Sequence, residues 1–167
     1  MPTVFIGVGS NLGDRQKNFE FAQKEMLESG AVRHLRCSPV YETEPVNGEG
    51  QPLYWNAVWS FDTDLAPHDL LRKLHNIEAM AGRMRRAPNE ARVLDLDILF
   101  YGDQKWAGSG LVIPHPRLHE REFVLAPFCD LAPEWEHPGF KKTMKELLNN
   151  VRATHNERPF VALRAKL

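Results

Sequence analysis

Apolar and polar positions alternate along this chain in a way that divides it into short strands and amphipathic helices. Thr3–Val8 is apolar and β-prone and reads as a buried strand, which Gly9-Ser10-Asn11-Leu12-Gly13-Asp14 then breaks. Asp14 is placed to cap a helix running to about Glu28, with Phe19, Ala22 and Met26 on its inner face and Gly30 as its stop. Ala31–Thr43 reads as extended, interrupted by Pro39, and Glu44–Pro52 is too rich in Gly, Pro and Asn to be regular. Tyr54–Thr63 combines aromatic and β-branched residues, a strand signal. Asp64 is expected to cap a second helix, with Pro67 early in it, an apolar face of Leu70, Leu71, Leu74, Ile77 and Ala81, and Gly82 as its end.

Arg83–Arg92 has no apolar period and reads as a loop. Val93–Tyr101 is a strand with Asp95 and Asp97 on one face and Leu94, Leu96 and Ile98 on the other. A turn-rich Ile113-Pro114-His115-Pro116 precedes helices around Arg121–Leu131 and Thr143–Val151, and the tail from Pro159 is read as a short strand or a loose end. The order β-α-β-β-α-β predicts an α+β fold: a ferredoxin-like core with an antiparallel sheet, helices packed on it and extra helices at the C-terminal end.

Composition narrows the class. The 167 residues fit one domain, taken as 1–167. Twenty-one Lys and Arg against 22 Asp and Glu give a net charge of −1, which argues against coating nucleic acid by bulk charge but leaves a local basic site open. No segment reaches the roughly 18 apolar residues of a membrane span, and the first apolar run lacks a basic flank, so neither a membrane nor a secretory route is expected. Cys37 and Cys129 lie far apart with no second Cys or His at metal spacing. They are read as free thiols in a reducing cytoplasm, with one disulfide as the alternative.

The sharpest chemical signal is Asp95-Leu96-Asp97. Strand alternation puts both carboxylates on one face, where they are able to share hard cations such as Mg²⁺. A bare Asp-x-Asp is more often an acidic solvent face; Arg83, Arg85, Arg86 and Arg92 just upstream shift the balance toward a metal–polyphosphate site. Gly7-Val8-Gly9-Ser10-Asn11-Leu12-Gly13 lies between a strand and a helix, where glycines and a helix N-terminus favour an anion. It matches neither G-x-G-x-x-G nor a P-loop, and taken alone a tight structural turn explains it better. Pro114-His115-Pro116-Arg117 fixes a histidine on a rigid turn. His119 lies four residues on, but Pro116 is expected to start the helix and keep the two histidines off one face. Tyr54, Trp55, Asn56 and Phe123 suit a slot for a flat heterocycle, or a plain aromatic core.

Taken in order, these signals resemble the 6-hydroxymethyl-7,8-dihydropterin pyrophosphokinase family of folate biosynthesis, from Phe5 to about Glu134. The resemblance is carried by Gly9-Ser10-Asn11-Leu12-Gly13-Asp14, Tyr41-Glu42-Thr43-Glu44-Pro45-Val46, Tyr54-Trp55-Asn56-Ala57, Ile77-Glu78 with Gly82-Arg83, and Arg92-Val93-Leu94-Asp95-Leu96-Asp97-Ile98-Leu99. Pro114-His115-Pro116-Arg117 and Arg121-Glu122-Phe123-Val124-Leu125-Ala126-Pro127 complete it. It implies an ATP- and Mg²⁺-dependent enzyme that moves the β,γ-diphosphate of ATP to the hydroxymethyl group of the pterin, leaving AMP. By the same resemblance Asp95 and Asp97 hold two Mg²⁺ ions, and Arg83 and Arg92 are catalytic arginines of the phosphate loop. Glu78, Arg83, Arg92, Ile98, His115 and Arg121 contact ATP. Tyr54 and Phe123 sandwich the pterin, whose rim is read by Asn56, Thr43, Pro45 and Val46. The implied partners are these two small molecules, with no nucleic acid and no membrane, in a cytoplasmic monomer.

The chain departs from the family pattern where Trp-x-Pro-Arg is usual: Asn89-Glu90-Ala91-Arg92 has no Trp, and the arginine loop is about one residue short. The register of Arg85 and Arg86 is therefore open. Gly110 and Val112 stand where some members place polar ATP contacts. Two rival classes fit the sequence less well. A Gly-Ser … Asp-x-Asp nucleotidyltransferase has its Asp pair about a helix-length after Gly-Ser, far closer than Ser10 is to Asp95. A ferredoxin-like RNA-binding module needs more strand aromatics than Tyr54 and Trp59 supply.

Overall fold

In the computed structural model, residues 1–44, 53–82 and 93–154 are described, together with the main chain of 161–163. Six strands form the main sheet: β1 (Thr3–Ser10), β2 (Val32–Cys37), β3 (Val40–Thr43), β4 (Tyr54–Thr63), β5 (Asp95–Tyr101) and β8 (Val161–Leu163). β6 (Trp106–Gly108) and β7 (Leu111–Ile113) make a separate hairpin. The order across the sheet is β5-β1-β4-β3-β8, with β2 also on β4, and every pairing is antiparallel. The α-helices among the described residues are α1 (Arg15–Glu28), α2 (Pro67–Met80), α3 (Glu122–Leu131) and α4 (Met144–Thr154).

Alternation along the strands sorts side chains onto two faces. Val4, Ile6, Val8, Ala57, Trp59, Phe61, Leu94, Leu96 and Ile98 join Phe19, Ala22 and Met26 of α1 and Leu70, Leu74 and Ile77 of α2 in one core. Phe5, Val58, Leu99 and Phe100 on the other face pack with Leu125 and Phe128 of α3 and Met144, Leu147 and Leu148 of α4. Removing a large side chain from either layer is expected to cost about 2–5 kcal/mol. α3 and α4 thus cover part of the second face. The same face carries Gly7, Gly9, Asn56, Asp95 and Asp97.

Several boundaries differ from the sequence reading. β1 runs on through Gly9 and Ser10, because both pair with β4. Asp64 does not cap α2: Thr63 Oγ1 accepts the Leu65 N–H at 3.1 Å, and the helix starts at Pro67 behind Ala66. β5 begins at Asp95 rather than Val93. Pro116 starts no helix; a 3₁₀ turn, Leu118–Glu120, intervenes before α3. The β6–β7 hairpin was not foreseen, and the tail does contribute a strand, β8 on β3. Both cysteines are free thiols, each raised to about 11, by burial for Cys37 and by burial and nearby Asp130 for Cys129.

Candidate active site

The site is a rung across three strands. Gly9 on β1 pairs with Asp95 of β5 on one side and Asn56 of β4 on the other, and Gly7 pairs with Asp97 and Val58. A Cβ built on Gly9 would lie 3.4 Å from Asn56 Oδ1 and 4.0 Å from the Asp95 Cβ. The glycine therefore leaves a trough between an amide and a carboxylate that any side chain would fill. Asp95 and Asp97 are half-buried while Leu94, Leu96 and Ile98 are buried on the far side, as alternation requires.

Asn56 Nδ2 donates to the buried Thr43 Oγ1 at 2.7 Å, which locks the amide and turns Oδ1 toward the trough. Tyr54 and Asn56, two residues apart on β4, share the face of Val58. Trp55 does not join them. It belongs to the first core, edge-on to Phe19 at 5.9 Å and under the Arg15 guanidinium at 5.3 Å. Phe123, in the first turn of α3, packs partly against the second core, with the Arg121 guanidinium 5.7 Å from its ring centre.

His115 follows the hairpin, its N–H donating to Leu99 O at 3.0 Å. Its Nδ1 accepts the Arg117 N–H at 3.2 Å, which leaves Nε2 as the protonated donor of a neutral ring. Burial, then the Arg121 charge, pushes its pKa down to about 4, against a smaller opposing pull from Asp95. His115 is thus close enough to feel both Asp95 and Arg121. His119 instead packs against Phe140, ring centres 4.7 Å apart, so the two histidines form no pair.

Two of the expected ATP contacts have buried side chains. Ile98 is 4% exposed and its side chain lies in the first core, opposite Asp97, leaving only its main chain for a ligand. Glu78 is 1% exposed and its Oε2 accepts the Leu96 N–H at 2.8 Å, so α2 supplies an acceptor to edge strand β5 between the two aspartates. Pro45, Val46, Arg83, Arg85, Arg86 and Arg92 lie outside the described residues. Val112 is exposed opposite Ala107, and Gly110 occupies the hairpin turn at φ +76°.

The turn after β1 is structural. Asp14 accepts the Lys17 N–H at 3.1 Å, so the α1 N-terminus is capped by its own chain. Asn18 was missed from sequence: its Nδ2 reaches Ser10 Oγ (3.1 Å), Leu12 O (2.8 Å) and Val93 O (3.1 Å), joining the end of β1 to the approach to β5. The available signal was an Asn inside a helix, where propensity disfavours it.

Residues 5–133 match the family described as 7,8-dihydro-6-hydroxymethylpterin-pyrophosphokinase (HPPK). The chain belongs to this family. It is 36% identical over 149 residues to the 2-amino-4-hydroxy-6-hydroxymethyldihydropteridine pyrophosphokinase of Synechocystis sp., covering 89% of this chain and 76% of that protein. It is 47% identical over 132 residues to a folate synthesis bifunctional protein of Arabidopsis thaliana, covering 77% of this chain and 26% of that protein. The folic acid synthesis protein fol1 of Schizosaccharomyces pombe is 36% identical over 148 residues, 89% of this chain and 20% of its own length. The chain thus spans about a fifth of the fungal relative and about a quarter of the plant one. The crystal structure of Plasmodium falciparum HPPK-DHPS wild type with SDX-DHP shares the fold, with a TM-score of 0.67 at 16% identity over 90% of this chain and 43% of that one. Among the described residues no helix is long and apolar enough to cross a membrane, and some relatives of this HPPK chain carry the word mitochondrial in their names.

Proposed function

We propose that this chain catalyses transfer of the β,γ-diphosphate of ATP to the hydroxymethyl group of 6-hydroxymethyl-7,8-dihydropterin, giving AMP and the pterin diphosphate, in tetrahydrofolate biosynthesis. The observation that carries the reading is the Asp95–Gly9–Asn56 rung, with carboxylate, trough and oriented amide side by side on one sheet face. Its ordering of strands and helices is read as the ferredoxin-like pattern, in a single domain of 1–167.

Two Mg²⁺ ions would be held by Asp95 and Asp97, and the trough over Gly9 fits a pair of hard oxygen donors that leaves further positions to phosphate oxygens and water. Bound there, the ions would neutralise phosphate charge and favour the alkoxide of the attacking hydroxyl.

The remaining work falls to the chain. The pterin oxygen attacks the β-phosphorus, the bond to the α-phosphate oxygen breaks, and AMP leaves with that oxygen. His115, neutral and donating from Nε2, and Arg121 would hold triphosphate oxygens where negative charge shifts. Arg83 and Arg92 would do the same, with the main chain of Ile98 beside the nucleotide and Glu78 fixing the strand that carries both aspartates. Asn56 Oδ1 would accept a pterin N–H, with Thr43 holding the amide; Pro45 and Val46 would line the rim, and Tyr54 and Phe123 would stack on the ring. The working form is taken to be a cytoplasmic monomer acting on these two small molecules, with no nucleic acid or membrane partner.

An ATP-to-AMP assay tests the reading. AMP and pterin diphosphate should form one for one, only with Mg²⁺ and the pterin alcohol both present. ADP as the nucleotide product, or AMP released at the same rate without the pterin, would overturn it.

A further inference from the structure

Glu122 sits between two expected ligand contacts, Arg121 and Phe123, yet it points away from solvent. It is 7% exposed at the start of α3, and its Oε1 accepts from Arg152 Nε at 2.8 Å. Arg152 lies in the last turn of α4, with its side chain 55% exposed. The guanidinium is also close enough for Tyr41 and Cys129 to feel its charge. The Tyr41 hydroxyl donates to Asp130 of α3, and Tyr41 pairs directly with Asn56 across β3 and β4. One side chain of α4 therefore stands between the helix that carries the stacking ring and β3, the strand paired with the one that carries the amide.

We propose that Arg152 and Glu122 form a positioning pair for the pterin slot, setting the plane of Phe123 against Asn56. The inference rests on the reading of the slot given above. Phe123 follows Glu122 in the first turn of α3, so a shift of that turn tilts its ring. Arg121 caps the same turn, its C=O accepting from Val124 and Leu125, but its N–H also donates to Leu118 O, which ties it to the 3₁₀ turn, and its long side chain absorbs small movements. Losing the pair should therefore weaken pterin more than ATP. A carboxylate this buried also tolerates the loss of its cation poorly, so the first turn would be the part to move.

The test is calorimetric binding of 6-hydroxymethyl-7,8-dihydropterin and, separately, of a non-hydrolysable ATP analogue with Mg²⁺, with thermal unfolding of each variant. Arg152→Ala should weaken pterin about tenfold and the ATP analogue by no more than about twofold, the size expected of a small misplacement. Arg152→Lys should recover most of the loss, and Glu122→Gln with Arg152→Ala should be no worse than Arg152→Ala alone. Should Arg152→Ala fail to fold, Glu122→Gln, which keeps shape and an acceptor oxygen, carries the same comparison with a smaller expected loss. Unchanged pterin binding despite a lowered Tm would mean that the pair only stabilises the fold, and equal weakening of both ligands would overturn the inference as well. A wild-type protein that binds no pterin would bring down the reading of the slot itself, and the inference with it.

Discussion

A Cβ on Gly9 would come no closer than 3.4 Å to any neighbour, so alanine fits there without displacing the sheet. Gly9→Ala should leave Tm unchanged or slightly raised, since it restricts the unfolded chain. It should nonetheless cut turnover, because the added methyl occupies the trough between Asn56 and Asp95. Parallel melting curves and rates separate that outcome from a structural turn, which would lose both or neither. Asp95→Asn and Asp97→Asn should each lower turnover about 10²–10³-fold with the fold retained, the usual worth of one electrostatic group; near-normal Mg²⁺-dependent rates would sink the assignment. For His115 the sign is set by a folded value near 4 below the ordinary 6.5. The folded protein then holds fewer protons than the unfolded chain between those values, so stability is fully present above pH 6.5 and is lost as pH falls toward 4. His115→Gln should flatten that part of the stability–pH curve in metal-free protein, and an NMR titration placing the wild-type ring near 6.5 would refute the argument.

Among the elements, those with a full hydrophobic period were legible in the sequence. β4 was read with its observed bounds from aromatic and β-branched residues, and α1 from Asp14 and the Phe19, Ala22, Met26 stripe. Short elements were not: β6 and β7 have three residues each, and a glycine-flanked triplet carries no period to read. The start of α2 was misplaced because Thr63 competes locally for the Leu65 N–H that an Asp64 cap would have left exposed. The role of Glu78 was beyond reach for a different reason: an edge strand's need for an acceptor appears only when helix and strand are side by side. Glu78→Ala should leave the Leu96 N–H without that acceptor and cost about 1–3 kcal/mol. Glu78→Gln, which keeps a carbonyl oxygen, should cost less. Urea unfolding measures the difference, and amide exchange at Leu96 should accelerate in the alanine variant; unaltered exchange there would show that the bond does not hold β5.

On the scale of the whole molecule, α1 and α2 pack on one face of the sheet and α3 and α4 on the other, and among the described residues the rung of Gly9, Asn56 and Asp95 lies on that second face, outside its hydrophobic core. Asp-x-Asp on a strand already implied that the aspartates share a face, because alternation is local. Which face α3 and α4 would cover, and where they would stop, was not implied, since it depends on Phe5, Val58, Leu99 and Phe100 meeting Leu125 and Phe128 in space. Trp55 is a different case: next in sequence to Asn56, it is sent to the opposite face by the same local alternation, which grouping it with the slot overlooks. The two-sided arrangement has a thermodynamic consequence. A ligand that binds only the folded state adds about 2.7 kcal/mol at 100 times its Kd. For a domain of this size that raises Tm by roughly 5–10 °C. With Mg²⁺ present, a non-hydrolysable ATP analogue should produce such a shift in the wild type, and the pterin alcohol should produce its own. Combining Asp95→Asn with Asp97→Asn should abolish most of the nucleotide shift, because the triphosphate would lose its cations while keeping only His115, Arg121 and the Ile98 main chain among the described contacts. The pterin shift should persist, since Asn56, Thr43, Tyr54 and Phe123 are untouched. Loss of both shifts together would show that the aspartates hold the sheet rather than the nucleotide, and retention of both would place the triphosphate elsewhere on the molecule.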